Sequence, residues 1–75
     1  MISVQDVREL VKSGFPDAEI DVNDMTGTMD HFEITVRSKV FAGKSLIDQH
    51  KMVFKILDAE MKDRIHAVKL HTKAL

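Results

Sequence analysis

Apolar residues recur at helical spacing near the start of the chain. The stripe they form consists of Val4, Val7, Leu10 and Val11. Ser3 lies just ahead of this stripe with Asp6 three residues later, which is the spacing of a capping box. Gly14 ends the pattern, and Pro16 prevents its resumption. The pattern predicts a helix over residues 4–13.

Alternation of apolar and polar residues follows the helix and predicts two strands, at residues 18–23 and 31–37. The side chains expected to face inward in the second strand are Phe32, Ile34 and Val36. Residues 24–30 between the strands form a long hairpin loop, in which Gly27 can adopt a positive φ.

The pattern in the second half of the chain predicts a short turn at 38–42, a helix at 46–62 and a last strand at 65–72. The apolar stripe of this helix consists of Leu46, Ile47, His50, Val53, Phe54, Leu57 and Met61. The facing of the last strand is ambiguous, because two alternating pairs compete for its inner side. We favour the pair with the larger side chains, Val68 and Leu70, over Ile65 and Ala67.

The predicted order α-β-β-(turn)-α-β defines an α+β fold, a three-stranded mixed sheet with helices on one face. If the second and third strands are neighbours, they run parallel and the helix between them is a right-handed crossover.

The segment Gly43-Lys44-Ser45 has the ending of a nucleotide-binding phosphate loop. Such a loop requires another glycine five positions before Gly43, where this sequence has Ser38. Ser45 with Asp48 instead repeats the Ser-x-x-Asp cap of the first helix. We therefore interpret Gly43 as a turn residue and Ser45 as a helix cap, with Phe41 filling the core just before the turn.

Composition indicates a globular protein with one domain, residues 1–75, at 44% hydrophobic and 31% charged residues. The chain lacks cysteine, a long apolar run and a secretory leader, so a cytoplasmic location without membrane association is expected.

Charge is unevenly distributed along the chain. Residues 1–33 carry two basic and eight acidic residues, a net charge of −6, and residues 34–75 carry nine basic and four acidic residues, a net charge of +5. This asymmetry indicates either a surface for a polyanion or an uneven solvated surface.

Four histidines are the main candidates for chemistry. His31 and His66 open two strands that start at one sheet edge if those strands are parallel, so their imidazoles are expected to lie near each other. Two histidines do not complete a metal site, although another protein could supply the remaining ligands. The alternative is two unrelated polar residues, and a bend would be needed to turn His66 toward His31. His50 is expected to be a half-buried packing residue on the apolar stripe of the long helix, and His71 to be solvated.

No nucleophile with an adjacent base is evident, because Ser3, Ser38 and Ser45 fit capping or turn roles, and we predict no enzyme. Asp24 and Asp30 flank the hairpin loop but make only a weak catalytic signal.

The candidates for nucleic-acid binding are the basic residues Lys44, Lys51, Lys55 and Lys69. Stacking aromatics and a two-glycine clamp are missing, so we expect such binding to be weak.

Three segments, SGFPDAEIDV, DHFEITVRSKVFAGKSLIDQHKMVFKIL and DRIHAVKLHT, resemble the BolA family in order and spacing over roughly residues 4–72. The resemblance implies a class II KH-like fold, α-β-β-α-α-β. It also implies that Gly-Lys-Ser is the turn into the long helix rather than a nucleotide cradle.

The resemblance further implies a non-enzymatic adaptor, a monomer or weak homodimer alone, in iron–sulfur trafficking or iron regulation. Such an adaptor shares a 2Fe-2S cluster with a monothiol glutaredoxin and glutathione. His66 matches the family's ligand position and His31 its second, where some relatives use a loop cysteine and this loop has Met25 and Met29. Family links to transcription, stress and cell shape imply DNA binding as the alternative function.

Overall fold

The computed structural model describes residues 2–75, and within this range the chain forms two α-helices, a 3-10 turn and three β-strands. In chain order these elements are α1 (Val4–Gly14), β1 (Glu19–Asp24), β2 (His31–Ser38), the 3-10 turn (Lys39–Phe41), α2 (Leu46–Met61) and β3 (Ala67–Ala74). The α+β prediction is confirmed, with the 3-10 turn at the place of the first of the two consecutive helices in the expected order α-β-β-α-α-β. None of the helices in residues 2–75 has the length and apolar character needed to span a membrane.

The sheet has the order β1-β2-β3, with β1 antiparallel and β3 parallel to the central β2. The helix α2 is therefore the predicted crossover between parallel neighbours. Alternate side chains of β2, those of Phe32, Ile34 and Val36, are fully buried, while the residues between them are half-exposed. Both helices cover this inner face, and Val7, Val11, Val53 and Leu57 are their buried residues.

The predicted start of the last strand at Ile65 is wrong, because β3 begins at Ala67 and continues to Ala74. The N–H groups of Arg64 and Ile65 both donate to the carbonyl of Glu60, at 2.7 and 2.8 Å. Ile65 thus belongs to the turn that ends α2, although its side chain is buried. Within the strand itself, Leu70 is the buried residue, as its size predicted.

The predicted apolar stripe of α2 is also too long, because Leu46 and Ile47 are 60% and 68% exposed. Phe41, just before this helix, is fully buried, with its ring centroid 5.3 Å from that of Phe15. The buried residues of α2, Val53 and Leu57, lie further along the helix.

Gly14 is the last residue of α1, one position beyond the predicted end at residue 13, and it also has a second role. A Cβ at this position would lie 1.9 Å from Cδ1 of Ile56 on α2. The missing side chain therefore allows the two helices to approach closely. The end of α1 is closed instead by the N–H of Phe15, which bonds the carbonyls of Val11 and Lys12.

The Gly43–Ser45 segment has the predicted turn-and-cap structure. Gly43 has a φ of +75°, a conformation that suits glycine. The N–H of Lys44 donates to the carbonyl of Phe41 at 3.1 Å, so the turn itself uses this amide. Ser45 Oγ accepts the N–H of Asp48 at 3.1 Å and caps α2.

Replacing Ser45 with alanine should destabilise the fold by about 1 kcal/mol, because one N–H at the start of α2 loses its acceptor. Urea unfolding measures this loss. Ser13→Ala is the matched control, because Ser13 Oγ bonds a carbonyl inside α1 and caps no helix start. If the Ser45→Ala variant were as stable as the parent protein, the capping role would be contradicted.

Asp17 secures the junction between β2 and the 3-10 turn, a role that the sequence did not suggest. Its carboxylate accepts the N–H of Lys39 at 3.2 Å and the hydroxyl of the fully buried Ser38 at 3.1 Å. The Lys39 N–H, followed by the Ser38 hydroxyl, holds the pKa of Asp17 below its usual value of 3.8. The ionised carboxylate is therefore the form that the fold favours.

Because the pKa of Asp17 is lower in the folded than in the unfolded state, its stabilisation is present above about pH 4 and fades as the pH falls further. Asp17→Asn should unfold at lower urea than the parent at pH 7, and the difference should shrink below about pH 4. Asp21→Asn is the control, since Asp21 takes part only in an exposed ion pair with Arg37. A difference that does not depend on pH would argue against this account.

Candidate functional site

His31 and His66 meet at the edge where β2 and β3 begin. His31 is the first residue of β2 and pairs with Ala67, the first residue of β3, so His66 directly precedes the paired segment. The centroids of the two imidazole rings are 4.8 Å apart, and the ring planes are inclined by 51°. The predicted juxtaposition is confirmed, while the role of the two rings as ligands stays a prediction.

An irregular start of β3 turns His66 outward. The N–H groups of His66 and Ala67 both donate to the carbonyl of Asp30, at 2.7 and 3.2 Å. Ile65 is buried and His66 is exposed, yet Val68 and Leu70 further along point inward. The alternation is therefore interrupted between Ile65 and Val68, and this provides the bend that the sequence required but could not locate.

The hairpin loop that leads to His31 is ordered by one carboxylate. Asp24 accepts the N–H groups of Thr26, Gly27 and Met29 at 3.3, 3.0 and 2.9 Å. Gly27 has a φ of +76°, as predicted, and Met29 also has a positive φ, of 59°. The carbonyl of Met29 accepts the N–H of Ile2 at 3.2 Å. These bonds hold a positive φ at Met29, where a side chain makes it unfavourable.

Asp30 connects this loop to the imidazole pair. Its Oδ1 atom lies 2.8 Å from Nδ1 of His31 and also accepts a hydrogen bond from the hydroxyl of Thr28. The Thr28 hydroxyl, followed by the His31 imidazole, lowers the pKa of Asp30. The carboxylate is consequently ionised and accepts from both neighbours at neutral pH.

A polar groove of about 330 Å³ lies beside His66. Asp30, His66 and the segment 61–65 line it. The cationic groups of Lys62 and Arg64 in this segment pair with Asp58 and Glu60 one turn earlier. The groove is therefore open and polar, with its positive charges balanced locally.

The other two histidines lie apart from this site. His50 is half-buried on α2 with its ring centroid 6.4 Å from that of Phe54, and within the described chain its buried Nε2 has no hydrogen-bond partner. His71 is 48% exposed, as predicted, and its Nε2 lies 2.9 Å from Oε2 of Glu33. His71 pairs with Thr35, four residues along the sheet from His31, a distance of roughly 13 Å.

The predicted nucleic-acid residues do not form one surface. Lys51 and Lys55 are exposed along α2, and Lys44 is exposed in the turn before it. Lys69 is exposed on β3 next to the inward-facing Leu70, so it lies on the sheet face away from the helices. All four phenylalanines are buried or half-buried and offer no exposed ring for base stacking.

Sequence reasoning missed the roles of Asp24, Thr28 and Asp30. It weighed the two aspartates only as weak catalytic carboxylates, whereas the structure uses them as hydrogen-bond acceptors. A signal was present, because an aspartate followed by threonine and glycine in a loop is typical of side-chain-to-backbone turns.

Within residues 2–75, no group of three or more histidine, aspartate or glutamate side chains is arranged to hold a metal ion.

These features define a class: a small α+β domain with a β1-β2-β3 mixed sheet, two helices on one face and an imidazole pair where the parallel strands begin. The sequence profile described as BolA-like protein matches residues 9–75. The chain belongs to the BolA family.

Individual relatives agree with this assignment. The chain is 31% identical over 71 residues to the uncharacterized protein RP812 of Rickettsia prowazekii, covering 95% of this chain and 92% of that protein. It is 26% identical over 73 residues to the DNA-binding transcriptional regulator BolA of Escherichia coli, covering 88% and 70%. The structure of BolA1 from Arabidopsis thaliana shares the fold with a TM-score of 0.85 at 23% identity, covering 99% of this chain and 94% of that one.

Proposed function

We propose that this protein is a non-enzymatic adaptor that shares a 2Fe-2S cluster with a monothiol glutaredoxin, to which it contributes the imidazoles of His66 and His31. The observation that carries the proposal is the imidazole pair, with ring centroids 4.8 Å apart at an accessible sheet edge. His66 is exposed, and about a third of the His31 side chain is exposed.

The spacing of the two rings fits a single metal ion. Two imidazoles bound to one ion at nitrogen–metal distances of about 2.0–2.1 Å have their ring centres roughly 5 Å apart. Imidazole nitrogen is also a suitable ligand for iron. Nδ1 of His31 is engaged by Asp30, which leaves its Nε2 as the nitrogen available for ligation.

The donor set also indicates what the partner must contribute. This chain has no cysteine, whereas a 2Fe-2S cluster is commonly held by four ligands, thiolates or a mixture of thiolates and imidazoles. The two thiolates would come from the glutaredoxin cysteine and from glutathione. Two imidazoles in place of two thiolates would raise the reduction potential of the bound cluster, as in Rieske centres.

Titrating cluster-loaded monothiol glutaredoxin with this protein tests the proposal. The parent protein should change the visible absorption and circular dichroism of the cluster, because two ligands are exchanged. His66→Ala should abolish the change, and His31→Ala should weaken it. His71→Ala is the matched control and should behave like the parent, since His71 lies on β3 opposite Thr35, four residues along the sheet from His31.

Folding and docking must be separated from ligation. Urea unfolding should show that the alanine variants at His31 and His66 remain folded, while His50→Ala should act mainly through stability. Binding to cluster-free glutaredoxin should survive in the folded variants, because the role proposed for the two imidazoles is toward the cluster and not toward the surface of the partner. If the His31/His66 double variant still changes the cluster spectrum like the parent, these residues are not the ligands.

DNA binding is the second candidate function, favoured by the relatives in Escherichia coli and Vibrio cholerae that are named DNA-binding transcriptional regulators. The candidate residues in this chain are Lys44, Lys51 and Lys55 near α2, with Lys69 on the opposite sheet face. Without exposed aromatic rings or a two-glycine clamp, phosphate contacts would carry the binding.

We expect duplex DNA to bind without sequence selectivity, with a Kd in the range of about 10⁻⁶ to 10⁻⁴ M that rises steeply with salt. Fluorescence anisotropy at several salt concentrations measures both properties. The Lys51→Ala/Lys55→Ala variant should lose most of the affinity, and Lys69→Ala is the control on the opposite face. A sub-micromolar, sequence-selective complex at physiological salt would overturn this expectation.

A further inference from the structure

We propose that Asp30 is the positioning residue of the site: its side chain fixes which nitrogen of His31 carries the proton, and its carbonyl fixes the chain at His66. This inference rests on the proposed function for the use of the two imidazoles. The positioning itself concerns only residues of this chain, and it can be measured on the protein alone.

The side-chain part of the argument concerns proton placement. An ionised carboxylate accepts hydrogen bonds and donates none. Since Oδ1 of Asp30 lies 2.8 Å from Nδ1 of His31, that nitrogen must carry the proton. The neutral ring then has its lone pair on Nε2, so this nitrogen is free to bind a metal. Metal-ligating histidines commonly have such a carboxylate partner on the other nitrogen.

The backbone part concerns His66. The Asp30 carbonyl accepts the N–H groups of both His66 and Ala67, and this double acceptance coincides with the interruption that turns His66 outward. One residue therefore contacts both histidines, the His31 ring through its carboxylate and the His66 backbone through its carbonyl. Substituting the side chain removes only the first contact, so the two effects can be separated by experiment.

The hairpin loop holds the Asp30 carboxylate in place. Thr28 donates its hydroxyl to the same Oδ1 atom that accepts from His31. The hydroxyl of Thr28 also lies 2.5 Å from that of Thr26, whose N–H donates to Asp24. A merely solvated aspartate would have no such chain of contacts. Thr28→Val should therefore weaken the tautomer preference of His31, although less than loss of the carboxylate.

The histidine tautomers can be determined by ¹H–¹⁵N long-range correlation spectra of the isolated protein at alkaline pH. His31 should carry its proton on Nδ1. His71 provides an internal reference with the opposite arrangement, because its Nε2 faces the Glu33 carboxylate. Asp30→Ala should shift His31 toward the Nε2–H form and leave His71 unchanged, whereas Glu33→Gln should leave the tautomer of His31 unchanged.

The second readout is the spectral titration with cluster-loaded glutaredoxin. Asp30→Ala should weaken cluster sharing by about 10–100-fold, the loss typical of a removed outer-shell partner. Asp30→Asn keeps the shape but can donate as well as accept, so it should give a mixture of His31 tautomers and a smaller loss. If the alanine variant does not fold, the asparagine variant decides between positioning and a structural role.

The outcomes separate this inference from the proposed function. Parent-like His31 tautomers in the folded Asp30 variants would overturn the positioning role, whatever the cluster titration gives. A changed tautomer with unchanged cluster sharing would mean that the site does not depend on His31 orientation, and would also overturn it. Failure of the proposed function would show instead as parent-like titration by the His31/His66 double variant, with the tautomer result unaffected.

Discussion

The parallel pairing of β2 with β3 is the constraint on which the rest of this domain depends. Parallel neighbours cannot be joined by a tight turn, so the chain must cross over, and α2 provides the crossover. The same pairing makes β2 the central strand, which explains why its alternate side chains are fully buried. It also makes both strands begin at one edge, so that His31 and His66 meet although they are distant in the sequence.

A core of this size leaves the loops to be ordered by hydrogen bonds rather than by burial. Three aspartates do this in similar ways. Asp24 accepts three N–H groups inside the hairpin loop. Asp30 accepts hydrogen bonds from Thr28 and His31 at the end of that loop, and Asp17 accepts the hydroxyl of Ser38 at the end of β2. Asp30 contacts the first residue of β2 and Asp17 contacts the last, so a carboxylate acceptor lies at each end of the central strand.

The sequence predicted the elements and their order because each one has a local signature. The Ser3 and Ser45 caps and the alternation in β2 are examples that the structure confirms. It could not predict that Ile65 belongs to the end of α2, because a shared carbonyl acceptor at Glu60 leaves no pattern of side chains. Nor could it predict the exposure of Leu46 and Ile47, because their helical spacing placed them on the apolar stripe.

The charge asymmetry of the sequence does not become a single binding surface in the fold. Among the acids of the first half, Glu19 and Asp21 on β1 pair with Arg37 on the adjacent β2, because the antiparallel register places them together. The four candidate lysines are also divided, because Lys51 and Lys55 lie on α2 and Lys44 in the turn before it, whereas Lys69 lies on the open face of β3. Since opposite faces cannot contact one straight duplex together, charge counts along the chain overstate its suitability for nucleic acid. The two imidazoles, in contrast, lie together at one place, and the proposal of a shared cluster rests on that geometry.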